Sequence, residues 1–220
     1  MNLRAAFLPP APVRDELAAL VRAQEPAPEA AGSGRRGLFG RRTAEPPTAP
    51  TASTATSSGN QPLLRVLDPE RVLVPVTDFG HLASGDARRV VDAVTAACAE
   101  LPPGPTVRIS GGAALVDPDD RSVWAELAAS DEDVSAMRAV AQTIVSAVQP
   151  LGLFCDRRQF KPRFPIATIT DATTVEHLEQ VLAALAAYTS DPWTVGEVAV
   201  VQRGSGVWRT VPIGGCPDDR

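Results

Sequence analysis

The sequence predicts an α+β (mixed α/β) fold with helices outside antiparallel-rich sheets. Three observations predict it. Short apolar runs bounded by Pro, Gly and Asp alternate with longer stretches whose apolar residues recur three and four positions apart. Their order is strand-helix, strands-helix, strands-helix, strand-helix, hairpin. No Gly-x-Gly-x-x-Gly or Walker pattern follows a strand, so a dinucleotide or P-loop domain has no support.

Residues 3–8 read as a short buried strand ended by Pro9-Pro10-Ala11-Pro12. A helix starts near Pro12, where proline suits the first turn, and carries Val13, Leu17, Leu20 and Val21 on one face. From Gln24 to Asn60 the chain is rich in Pro, Ala, Thr, Ser and Gly and has almost no aliphatic run. Such a segment buries too little apolar surface to offset its ordering entropy, so it is expected to be disordered. Folded character on both sides marks it as an insertion, which costs little because closure entropy grows only logarithmically. Inside it, Arg35, Arg36, Arg41 and Arg42 flank Gly37-Leu38-Phe39-Gly40. This patch reads either as a solvated linker or as a docking site for an acidic partner or RNA.

Leu63–Val66 and Arg71–Thr77 read as strands around an Asp68-Pro69 turn, and 86–100 as a helix with Val90, Val91, Val94, Ala97 and Cys98 on one face. Strands at 106–110, 113–116 and 122–127 follow, separated by Gly111-Gly112 and by 117–120. Ser130 caps a helix striped by Val134, Met137, Ala141, Ile144 and Val148, with Asp131, Glu132 and Asp133 in its positive first turn. A strand over 164–170 leads to a capping box, Thr173 and Glu176, and a helix carrying Leu178, Val181, Leu182 and Leu185. Residues 193–202 and 206–213 read as a closing hairpin across Arg203-Gly204-Ser205. The predicted organisation is one domain made of 1–23 and 61–215, the 24–60 insertion, and a tail at 216–220.

Composition limits the function. The 220 residues, 44% of them hydrophobic, suffice for one good-sized core. A net charge of -5 argues against a globally basic nucleic-acid binder and leaves a local basic cleft open. Lys161 is the only lysine; the excess of arginine reads as coding bias. Cys98, Cys155 and Cys216 form no paired spacing, which fits free thiols in a reducing compartment, and no Cys/His spacing suggests zinc. The first apolar run is too brief for a signal peptide, and no stretch approaches the ~20 apolar residues of a membrane span. A monomeric cytoplasmic protein without metal or cofactor is the expectation.

Several segments carry a resemblance. Arg4-Ala5-Ala6-Phe7-Leu8-Pro9-Pro10, running on to Val13-Arg14-Asp15-Glu16-Leu17, resembles the first strand and helix of the 2′-5′ RNA ligase-like, two-histidine phosphoesterase family. Leu64 to Leu73 resembles the approach to that family's first catalytic strand. Val74-Pro75-Val76-Thr77-Asp78-Phe79-Gly80 stands where the family has His-x-Thr-Leu-x-Phe-Leu-Gly. Phe160-Lys161-Pro162-Arg163-Phe164-Pro165 stands where it has Phe-Arg-Pro-His-x-Thr. The resemblance covers the chain apart from 24–60 and the last few residues.

It implies two lobes facing each other across a cleft, each supplying one His-x-Thr/Ser from a strand. One imidazole would activate the nucleophile that opens a 2′,3′-cyclic phosphate and the other would protonate the leaving oxygen, with hydroxyls holding the phosphate and no metal. This sequence departs from that pattern: Pro75 replaces the first histidine, Arg163 the second and Pro165 the second hydroxyl, so only Thr77 remains. Proline transfers no side-chain proton. Arginine, with a pKa above ~12, is a poor acid or base but an excellent phosphate fork.

Two histidines exist. His81, read as lying in the loop after the strand, reads either as solvated or as a group at the cleft mouth. His177 reads as a surface residue of its helix. Trp124, Trp193 and Trp208 read as packing residues, and Cys155 as a loop thiol with no histidine placed to lower its pKa. Arg157, Arg158, Lys161 and Arg163 form a basic cluster that is either a surface run or an anion site. The candidate ligand-binding residues are thus Thr77, His81, Lys161 and Arg163.

The leading expectation is a catalytically degenerate relative that binds a nucleotide, an RNA end or a protein partner. The alternatives are a phosphodiesterase or RNA ligase-like enzyme with altered catalytic residues, using His81, Thr77 and Arg163, and a scaffold acting through the 24–60 segment.

Overall fold

Residues 1–25, 62–117 and 120–214 are described by the structure, a computed structural model. The patch at Arg35, Arg36, Arg41 and Arg42, most of the 24–60 segment, Cys216 and the tail lie outside the described residues.

The chain runs through β1 (Asn2–Phe7), α1 (Ala11–Ala23), β2 (Leu64–Val66), β3 (Val74–His81) and α2 (Ser84–Ala99). It continues through β4 (Thr106–Asp117), β5 (Asp120–Ala128), α3 (Asp131–Val148), β6 (Arg163–Ile169) and α4 (Val175–Ala187). It closes with β7 (Trp193–Thr194), β8 (Glu197–Gln202) and β9 (Gly206–Pro212). The strands form two antiparallel sheets, one ordered β3-β1-β8-β9 and the other β2-β6-β5-β4-β7. Helices α2 and α3 pack on each other and against the first sheet; α1 and α4 pack on each other and against the second. The predicted α+β class holds, with two lobes.

Local chemistry explains the elements. β1 lies inside its sheet, between β3 and β8, and is buried on both faces: Leu3, Ala5 and Phe7 join the main core, and Ala6 joins Leu73, Ala199 and Val201 on the opposite face. α1 takes Pro12 in its first turn and buries Val13, Leu17, Ala18 and Val21. α3 begins as the sequence predicts, with the Ser130 hydroxyl accepting the Asp133 N–H.

Other expectations are corrected. Gly111-Gly112 does not separate two strands; β4 runs through it with a register shift against β5. Gly111 takes φ +90°, a left-handed value that glycine adopts without a Cβ penalty. Thr174, not Thr173, caps α4 by accepting the His177 N–H. Thr173 instead accepts the Thr170 N–H and donates to the Leu63 carbonyl. Trp193 is not in the closing hairpin but pairs with Val107 at the edge of the other sheet. His81 is the last residue of β3, which extends past the predicted strand end. His177 is not at the surface: it is only 4% exposed, with Nε2 3.9 Å from Glu25 Oε1. Gln24 and Glu25 belong to the folded part, since the Glu25 carboxylate accepts the N–H groups of Leu63 and Leu64. That clasp joins the two flanks of the 26–61 segment.

Candidate functional site: a basic cleft between the sheets

β3 is an edge strand of its sheet, which is where a proline is tolerated, and Pro75 sits beside a β-bulge. Because Pro75 pairs with Ala6 and Thr77 with the adjacent Ala5, Val76 is the extra residue of that bulge. β6 enters from the other lobe and begins at Arg163, which pairs with Glu126 of β5. A cleft of about 380 Å³ lies between them, within the usual range for small-molecule sites. Pro75, Thr77, Lys161 and Arg163 all line it, joined by Arg4, Asp78, Asp120, Trp124, Asp156 and Arg158. The two segments that carry the sequence resemblance therefore converge on one space.

The Arg163 guanidinium lies 5.1 Å from the centre of the Trp124 ring, a cation–π arrangement that holds the fork in place. Trp124 is fixed from behind: its Nε1–H donates to Ser122 Oγ at 2.9 Å, and the Ser122 hydroxyl donates to Asp120. The sequence reading placed Trp124 in the core. Its place beside Arg163 follows from the pairing of β5 with β6, which periodicity along a single strand does not reveal.

Thr77, a candidate ligand-binding residue, is only 6% exposed and donates to the Asp156 carbonyl at 2.7 Å. Cys155 Sγ is 3.4 Å from the same oxygen. The Asp156 N–H donates to the Asp78 carbonyl at 2.8 Å. Thr77 thus fastens the 155–158 loop along β3. Burial raises the Cys155 thiol above its ordinary value, with the Thr77 hydrogen bond and the Arg157 charge opposing the shift. Cys98, fully buried in α2, is pushed up to about 11 by desolvation. Neither is an activated thiolate.

Next to Thr77 on the same strand, Asp78 Oδ2 is 3.2 Å from Arg203 and 3.7 Å from Arg4. Burial and the Arg203 charge lower the Arg4 pKa against the pull of Asp78. His81, exposed at the far end of β3 opposite Asn2, is not among the lining residues, and neither is Pro165, which pairs with Trp124. Among the described residues no cluster of His, Cys, Asp and Glu is arranged to hold a metal ion, and no helix is long and apolar enough to cross a membrane. The sequence reading missed Arg4, Asp120 and Trp124. Arg4 was legible as the one charge inside an apolar strand.

No protein-family model and no curated protein matches this sequence. Solved structures do match its fold. TT0787 of Thermus thermophilus superposes with a TM-score of 0.57 at 16% identity, over 98% of this chain and 99% of that one. E. coli LigT complexed with 3′-AMP gives 0.56 at 14% identity, over 96% and 94%. A protein described as a phosphoesterase gives 0.55 at 14%, over 96% and 95%. The chain has the two-lobed fold of LigT, as the resemblance implied.

Proposed function

We propose that this protein is a degenerate member of the 2′-5′ RNA ligase-like, two-histidine phosphoesterase family whose cleft binds a nucleotide phosphate without performing the two-histidine reaction. One observation carries the reading: Arg163, braced on Trp124, and Pro75 line the same cleft from opposite lobes, where the family's motifs have imidazoles. A guanidinium there holds phosphate in a bidentate fork but moves no proton. The Thr77 hydroxyl is engaged within the protein, and the nearest histidine along β3, His81, does not line the cleft. Crystals of the similarly folded E. coli LigT contain 3′-AMP in one case and NADP+ in another, which supports phosphate-bearing ligands for this fold.

Calorimetry with 3′-AMP tests the reading. Binding is expected in the wild type and to weaken at least about tenfold in Arg163→Ala, as loss of a charge-assisted fork implies. Equal affinity in the two proteins would remove Arg163 from the site. Turnover of a 2′,3′-cyclic nucleotide above an Arg163→Ala/Thr77→Ala control would refute the non-catalytic part. The same reading expects a cytoplasmic monomer, which light scattering during size-exclusion chromatography checks for the oligomeric state.

A further inference from the structure

A second cavity, of about 470 Å³, adjoins the cleft on the far side of Val76 and Phe160. One wall is α3, where Arg138, Gln142 and Ser146 recur every fourth residue and so share a face. The other is the loop Arg157-Arg158-Gln159. Arg158 and Gln159 line both cavities. The charge pattern is unusual for a chain of net charge -5: three arginines face this cavity and, among the described residues, no carboxylate lines it. The cleft itself includes Asp78, Asp120 and Asp156 among its lining residues. Arg138 and Arg157 make no ion pair among the described residues, whereas Arg158 pairs with Asp156. Unpaired guanidinium groups beside amide and hydroxyl donors, with no acid to oppose them, form a surface for a phosphate group.

We infer that the cavity between α3 and the 157–159 loop is a second phosphate subsite, so that the ligand of this protein bears at least two phosphates, one in each cavity. The inference rests on the proposed phosphate site in the cleft and extends it. Two ligand types share that chemistry, a short single-stranded oligonucleotide and a nucleoside polyphosphate. They differ in spacing, since phosphodiesters are separated by a sugar and the phosphates of a polyphosphate are adjacent.

The test compares 3′-AMP, ATP and the dinucleotide ApAp by calorimetry, in the wild type and in Arg138→Ala/Arg157→Ala. Both substituted side chains are exposed, so the fold is not at risk. ApAp or ATP, each bearing more than one phosphate, should bind the wild type roughly tenfold or more tightly than 3′-AMP, a gain of the size a charge-assisted contact gives. The double variant should lose that gain and leave 3′-AMP unchanged. An advantage for ApAp assigns the oligonucleotide and one for ATP alone the polyphosphate; either supports the subsite. No advantage over 3′-AMP, or an advantage that survives in the variant, overturns the subsite and leaves the cleft reading standing. If ApAp or ATP binds in an Arg138/Arg157-dependent way while 3′-AMP does not bind, the subsite stands and the cleft reading fails. If nothing binds, both fail.

Discussion

Thr77 shows how a candidate binding hydroxyl can be engaged inside its own chain. The sequence resemblance implies a hydroxyl that faces a phosphate. Here its proton goes to the Asp156 carbonyl, and the 155–158 loop hangs on it. Thr77→Val preserves shape and removes the hydroxyl, leaving the buried end of a 2.7 Å hydrogen bond unmatched. The expected cost is about 1–3 kcal/mol in urea unfolding. Amide exchange at Asp156, whose N–H donates to the Asp78 carbonyl, should accelerate alongside. A variant as stable as wild type, with unchanged exchange, would show that the loop is held by other contacts. Pro75 and Arg163 were legible in the sequence as candidate positions because the order of their neighbours carries the resemblance. The engagement of Thr77 was not, because its partner lies 79 residues away in a loop with no periodic pattern.

At the scale of elements, periodicity predicts a strand or helix well and predicts poorly which strands are neighbours. The stripes of α1, α2 and α3 point inward as read, with Val13, Leu17 and Val21, Val90 and Val94, and Met137 and Ile144 all buried. The burial of His177 is not legible because a single imidazole on an amphipathic helix carries no sign of which neighbours cover it; Glu25, just past α1, approaches its Nε2 to 3.9 Å. The sequence reads Trp193 into the hairpin because the short gap before β8 looks like strand continuity, whereas the chain changes sheets between Thr194 and Glu197. The glycine pair 111–112 was misread because a bulge and a turn use the same residue. Close approach of α4 to β4 explains why glycine stands there: a Cβ at Gly112 would lie 2.6 Å from Leu185 Cδ1 and 2.8 Å from the Trp124 carbonyl. Gly112→Ala should therefore destabilise by about 1–3 kcal/mol, as overpacking does. It should also weaken 3′-AMP binding by shifting Trp124 under Arg163. Gly85, in the first turn of α2, has nothing within 4 Å of its would-be Cβ. Gly85→Ala should instead stabilise by about 0.4–1 kcal/mol. Thermal melts of the two variants side by side test the contrast; a shift in the same direction for both would contradict it.

For the whole molecule, the question is whether two lobes with a cleft between them behave as one folding unit. The chain itself crosses between them: β1 belongs to the first sheet, α1 packs on the second, β3 returns to the first, and β6 serves the second. The core follows the same route. One hydrophobic cluster includes Leu3, Phe7 and Phe79 of the first sheet together with Ile109, Phe164 and Ile166 of the second. Phe7 meets Phe160 edge-to-face with ring centroids 5.8 Å apart, joining β1 to the segment that leads into β6. The main core is shared between the lobes, so heat should unfold the described domain in a single transition, with calorimetric and van't Hoff enthalpies equal. Phe79→Ala in one lobe and Phe164→Ala in the other each empty a fully buried site. Each should cost about 3–5 kcal/mol and lower that same transition without splitting it. Two transitions, one moved by Phe79→Ala and the other by Phe164→Ala, would mean that the lobes unfold separately. The cleft would then be a hinge between independent bodies. A single transition moved by both means that the cleft walls are set by one continuous core, and that Arg163 and β3 are held at their separation before any ligand arrives.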